Sequence, residues 1–184
     1  MVFLTKNFIL SVDSINLFKE LQDSYLDFLG DQQKSGINEL EIIEKSLSKI
    51  ILNLKKDNVL QFIPSVLLST SSKNFIKNLT MWTEISNYDN ETLTINWECF
   101  PTEKSLCVYT LKGSTILSQT PENNCNVCIS VDFNFLPEFK NKNSIQKLLL
   151  SIFEKQIPFI VYQQMKSIYE SFVGYINSLS VIQN

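Results

Sequence analysis

Apolar and polar residues alternate from Phe3 to Val12, with Leu4, Phe8, Leu10 and Val12 on one side and Thr5, Asn7 and Ser11 on the other. That period of two predicts a strand. The period then lengthens: after a cap at Asp13 or Ser14, Leu17, Phe18, Leu21, Tyr25 and Phe28 recur at helical spacing, and Gly30 with Asp31 ends the helix. A polar loop, Asp31 to Gly36, follows. Alternation returns in Asn38 to Lys45 and Ser48 to Lys56, through Leu40, Ile42, Ile50, Leu52 and Leu54. A helix over residues 39 to 55 would use Ile43, Leu47, Ile50, Ile51 and Leu54. The regular alternation and dense β-branching favour a hairpin.

Phe62-Ile63-Pro64-Ser65-Val66-Leu67-Leu68 is apolar without a period, and Pro64 rules out a central strand, so it reads as a short helix or apolar loop. Strands are predicted at Asn74 to Ile85, Thr92 to Phe100, Leu106 to Gln119 and Cys125 to Phe135. Turn formers separate them at Asn87 to Asn90, Pro101 to Lys104 and Pro121 to Asn124. Gly113 suggests a bulge or bend. Leu93, Ile95, Trp97 and Cys99 share one face, as do Cys125, Val127, Ile129, Val131, Phe133 and Phe135. Trp82 falls on the polar face of its strand, which suggests either a partner surface or a shifted register.

The last segment, Asn143 to Leu179, predicts one long helix. Its first apolar stripe is Ile145, Leu148, Leu149, Ile152 and Phe153; its second is Val161, Met165, Ile168, Tyr169, Phe172, Val173, Ile176 and Leu179. At about 100° per residue the stripes differ by nearly half a turn, and Pro158 between them predicts a kink.

The 184 residues fit one domain, and 44% hydrophobic content is globular. No apolar run approaches the roughly 20 residues of a membrane span. No secretory leader is recognisable at Met1 to Asn7, so a cytoplasmic location is expected. The net charge of -3, with all 16 basic residues Lys, argues against nucleic-acid binding, which relies on the guanidinium fork. His is absent as well, removing the usual proton shuttle and arguing against hydrolase or transferase chemistry. The further absence of Ala points to an AT-rich genome, which weakens both inferences.

The element order β-α-β-β-β-β-β-β-α, closed by Ser144 to Leu179, resembles the START-like superfamily, also called SRPBCC or helix-grip. Phe62-Ile63-Pro64, Trp82-Thr83-Glu84 with Asn96-Trp97, and Glu154-Lys155-Gln156-Ile157 are similar to positions in its lipid-transfer members. The resemblance implies an α+β fold, a curved antiparallel sheet of about seven strands around the C-terminal helix, forming a single domain over residues 1 to 184. It further implies non-catalytic binding or transfer of a hydrophobic small molecule or lipid. The chain departs from many such domains in having no Arg or His for the cavity.

On that reading the ligand meets Met81, Thr83, Trp97, Tyr109, Ile129, Val131 and Phe133 from the sheet and Phe159, Met165 and Phe172 from the helix. Thr83 and Tyr109 would supply the oriented polar groups. Phe62, Ile63, Val66 and Leu67 would form a portal making transient membrane contact, aided by Lys73 and Lys77, or would plug the mouth. This reading calls for a cavity of several hundred Å3. In the alternative, a protein-interaction or assembly domain, the same side chains fill the core at about 1.5 to 3 kcal/mol each. A cyclase-type enzyme would have to work with Tyr109, Asp132 or a Glu alone.

Cys125 and Cys128 are three apart and so face opposite sides of a strand, which makes a zinc site with Cys99 and Cys107 a poor fit. No metal or cofactor is expected. The triplets at Asn78 and Asn90 match the glycosylation pattern by chance, on the same reading that sees no leader.

Overall fold

The computed structural model describes residues 2–31, 37–55, 80–102, 109–136 and 144–182. Among them are seven strands: β1 (Val2–Leu10), β2 (Glu39–Lys45), β3 (Lys49–Lys55), β4 (Met81–Asp89), β5 (Thr94–Pro101), β6 (Tyr109–Gln119) and β7 (Cys125–Phe135). They form one curved antiparallel sheet in the order β1-β7-β6-β5-β4-β3-β2. The chain meanders from β2 to β7, and β1 closes the far side on β7 with Leu10 opposite Cys125. Among the described residues the helices include α1 (Ser14–Asp23), α2 (Tyr25–Asp31) and α3 (Ser144–Ile182).

Local chemistry explains the boundaries. Asp13 caps α1, its Oδ1 accepting from the Ile15 and Asn16 amides at 3.0 and 2.9 Å. Ser14 amide and hydroxyl both donate to Gln119 Oε1, tying the start of α1 to the end of β6. The single helix expected here is broken at Ser24, whose amide donates to the Glu20 carbonyl and whose hydroxyl donates to Glu20 Oε2. The break divides the segment into α1, which buries Leu17, Phe18 and Leu21, and α2, which buries Leu26, Phe28 and Leu29.

The β2–β3 hairpin forms as the alternation implied, with a register shift between Ile42 and Glu44. β4 runs on to Asp89, past the expected break at residue 87. Asp89 then makes the turn: Oδ1 accepts from the Glu91 amide at 3.0 Å, Oδ2 from the Thr92 hydroxyl at 2.7 Å, and Leu93 takes φ 49°. Leu93 therefore belongs to the turn rather than to the inward face of β5.

Gly113 marks no bulge. It pairs in register with Trp97 on one side and Val131 on the other, and a Cβ there would collide with the Ser130 carbonyl and the Trp97 ring. The glycine is needed for this close approach.

The 39 residues of α3 run helically through Pro158, which is fully buried. The helix lies against β1 and β7, while α2 packs on its later turns. Phe8 meets the edges of Tyr162 and Tyr169; Phe172 is enclosed by Tyr25, Phe28 and Tyr175. The buried Glu154 side chain accepts from the Phe135 amide at 3.0 Å, fixing the end of β7 to the helix. Ile152 and Leu179, placed in the apolar stripes from sequence, are exposed at 47% and 38%. No helix among the described residues is long and apolar enough to cross a membrane.

Candidate functional site

Strand parity decides what faces α3. On β4 the even positions Trp82, Glu84, Ser86 and Tyr88 point inward; opposite them on β5 stand Ile95, Trp97 and Cys99. Tyr109, Leu111 and Phe133 continue the wall on β6 and β7. Leu21, Tyr25 and Leu29 close one end from α1 and α2, and α3 covers the space with Phe153, Ile157, Val161, Met165, Tyr169 and Phe172. These side chains surround a cavity of about 220 Å3, below the several hundred Å3 that a lipid carrier calls for.

Five of the residues picked from sequence are brought together here: Trp97, Tyr109, Phe133, Met165 and Phe172. The other five lie elsewhere. Met81 and Thr83 have the wrong parity; the Thr83 hydroxyl donates to Asn53 Oδ1 at 2.7 Å, and Asn53 in turn donates to Glu41, a polar chain across the outer face. Ile129 and Val131 are fully buried in the core of the β7 face, away from the cavity. Phe159 is 47% exposed, with the Lys6 ammonium 5.0 Å from its ring centroid. Asp132 projects to the opposite face of the sheet with Lys112 and Ser130. Phe62, Ile63, Val66 and Leu67, together with Lys73, Lys77 and Cys107, lie outside the described residues.

The sequence reading left out Glu84, Ser86 and Tyr88. Trp82 carried the signal. It shares parity with Tyr88, and two aromatics six apart on one strand mark the buried face once the strand is extended to Asp89. The apparent anomaly at Trp82 was a register shifted by one residue.

The polar groups of the cavity are few and concentrated. Among the described lining residues Glu84 is the only Asp, Glu or Lys; it accepts from the Ser86 hydroxyl at 3.1 Å. Burial, and then the neighbouring Glu84 charge, hold the Tyr25 phenol and Cys99 thiol well above their ordinary ranges. Burial chiefly does the same for Tyr88 and Tyr169. All four stay protonated near neutral pH, and the Tyr88 hydroxyl donates to the Leu21 carbonyl.

Two further groups stand out. Among the described residues, Trp97 Nε1 and Thr115 Oγ1 are buried without a hydrogen-bond partner, at about 1 to 3 kcal/mol each. Thr115 faces the Tyr169 phenol closely enough to temper the rise in its pKa but not with hydrogen-bond geometry.

Among the described residues no cluster of His, Cys, Asp or Glu could hold a metal ion. Cys99, Cys125 and Cys128 are free thiols. The register places Cys125 opposite Leu10 and Cys128 opposite Asn7, on different faces of β7.

No family model matches the sequence, and no curated protein matches it. Solved structures do match across most of the chain. Ara h 8.0201 aligns over 96% of this chain and 97% of its own at 13% identity and TM-score 0.60. Truncated norcoclaurine synthase from Thalictrum flavum covers 93% and 92% at 14% identity and TM-score 0.62. The Zhui aromatase/cyclase from Streptomyces sp. R1128 covers 94% and 92% at 12% identity and TM-score 0.58. A seven-stranded curved antiparallel sheet gripping a long C-terminal helix, matched end to end in these structures, is the START-like helix-grip fold, and this chain has it.

Proposed function

We propose that this chain forms one START-like domain that binds a small hydrophobic molecule between the sheet and α3. The observation that carries this reading is the cavity of about 220 Å3, walled mostly by aromatic and aliphatic side chains with a few clustered polar groups. An apolar cavity of about 150 Å3 holds benzene, so this one suits a small aromatic or short-chain lipid better than a two-chain lipid. A norcoclaurine synthase of the same fold has been crystallised with dopamine and hydroxybenzaldehyde, two small aromatic molecules. Binding without catalysis is favoured by the protonated state of the buried phenols and the Cys99 thiol. A filled core, which the assembly-domain reading needs, is at odds with the same cavity.

The test is titration with a neutral fluorescent probe, N-phenyl-1-naphthylamine, against the wild type and Met165→Trp, which puts an indole into the cavity. Saturable binding at one probe per chain, lost in the variant, supports the reading. Equal fluorescence enhancement by both proteins would place the probe elsewhere and sink it.

A further inference from the structure

We propose that the cavity selects an uncharged aromatic ketone, of roughly two fused rings, whose carbonyl oxygen accepts from Trp97 Nε1. The proposal rests on the small-molecule reading above and adds the chemistry of the ligand's polar group.

Several polar groups of the wall are already engaged. Glu84 is one, with the Ser86 hydroxyl among its partners, and the Tyr88 hydroxyl donates to the Leu21 carbonyl. Of the two buried side-chain atoms without a partner among the described residues, Trp97 Nε1 and Thr115 Oγ1, only the first belongs to a residue that lines the cavity. Trp97 is 7% exposed. An indole N–H donates and cannot accept, so the missing partner is an acceptor.

The ring is held against β6. Its Cζ2 and Cη2 edge lies over Gly113, at 2.5 and 2.8 Å from where a Cβ would stand, and β6 is itself paired on both sides, to β5 and β7. A donor fixed before the ligand arrives costs little further ordering on binding.

A ketone suits this wall better than other head groups. Its oxygen has two lone pairs and brings no proton to be placed. A hydroxyl also accepts, but its proton needs an acceptor of its own. A carboxylate accepts strongly, yet it would carry its charge into an apolar enclosure at a large desolvation cost. An ammonium has no lone pair, and a hydrocarbon leaves the indole as it was. Tyr25 and Tyr169 line the same cavity with phenols that burial keeps protonated, so the wall holds further donors for the second lone pair. Aromatic bodies suit the walls, since Trp82, Tyr88, Tyr109, Phe133 and Phe172 offer ring faces and edges.

The experiment titrates naphthalene, 2-acetonaphthone, 2-naphthol and 2-naphthoate by calorimetry or fluorescence at neutral pH, on wild type and Trp97→Phe, which keeps an aromatic ring and removes the N–H. The expected order in the wild type puts 2-acetonaphthone first, about fivefold tighter than naphthalene, the yield of one hydrogen bond, with 2-naphthoate weakest. In Trp97→Phe, shown folded by near-UV circular dichroism, the ratio of the two affinities should fall to about one, and taking the ratio cancels the packing change that both ligands feel. Isotope-edited infrared spectra of the wild type give a second reading that needs no variant: the carbonyl stretch of the bound ketone should lie below its position in hexane. Naphthalene binding as tightly as the ketone, or an unshifted stretch, would overturn the carbonyl inference and leave the cavity reading intact. Tightest binding by 2-naphthol or 2-naphthoate would overturn the choice of head group, and a ratio unchanged in Trp97→Phe would overturn the role of the indole. If none of the four binds, both readings fail together.

Discussion

Replacing Gly113 with Ala tests the packing that positions the cavity's indole. The φ of Gly113 lies outside the left-handed region, so space alone is at issue: a methyl would meet the Ser130 carbonyl and the Trp97 ring. A side-chain obstacle could swing aside, whereas the carbonyl belongs to β7, which is paired on both sides by β1 and β6. The overpacking cost should therefore fall near the upper end of the usual range, about 3 kcal/mol. Ala recovers about 0.5 to 1 kcal/mol by losing less conformational entropy than Gly on folding. The net destabilisation is about 2 kcal/mol, which in a domain of this size lowers Tm by about 4 to 8 °C. Thermal melts followed by far-UV circular dichroism read that shift, and tryptophan emission reports whether the indole has moved. Because Trp97 walls the cavity, affinity for the neutral probe should fall as well. Trp97→Leu should reduce the cost of Gly113→Ala without abolishing it, since the carbonyl remains. A Gly113→Ala protein that melts with the wild type would refute this account of the close approach.

Other expectations follow from single contacts. Phe172→Ala, which empties a fully buried site among Tyr25, Phe28 and Tyr175, should cost about 3 to 5 kcal/mol in urea unfolding. Asp13→Ala should cost about 1 kcal/mol by uncapping α1, with Asp13→Asn restoring most of it. Glu154→Ala should cost about 1 to 3 kcal/mol by removing the carboxylate that accepts from the Phe135 amide, and Glu154→Gln, which keeps an acceptor, should cost less. Burial pushes the Cys125 thiol from its ordinary 9.0 up to about 11, so its contribution is complete below pH 9.0 and is lost as pH rises through about 11. Urea midpoints across that window should fall less steeply in Cys125→Ala than in wild type.

Most of the architecture was legible because period-two and helical stripes are long in this chain. The regular alternation at Cys125 to Phe135 located β7 to the residue, and the terminal helix was evident from its length. The site was harder to read because it depends on parity, which an error of one residue inverts. Ending β4 at Ile85 put Met81 and Thr83 inward; the Asp89 carboxylate, which organises the turn after the strand, restores Trp82, Glu84, Ser86 and Tyr88 to the cavity. Ile129 and Val131 were on the correct face but in its filled part, because alternation reports burial and not the location of a void. The break at Ser24 was hidden because a serine within a helical pattern looks like any other polar position.

The most direct test of the central claim is native mass spectrometry of the wild type and Met165→Trp, both purified from a eukaryotic host. A stoichiometric small-molecule adduct on the wild type, absent from the variant whose cavity is filled, is the predicted result. Bare wild-type protein that also gains no adduct when incubated with 2-acetonaphthone or N-phenyl-1-naphthylamine would contradict it.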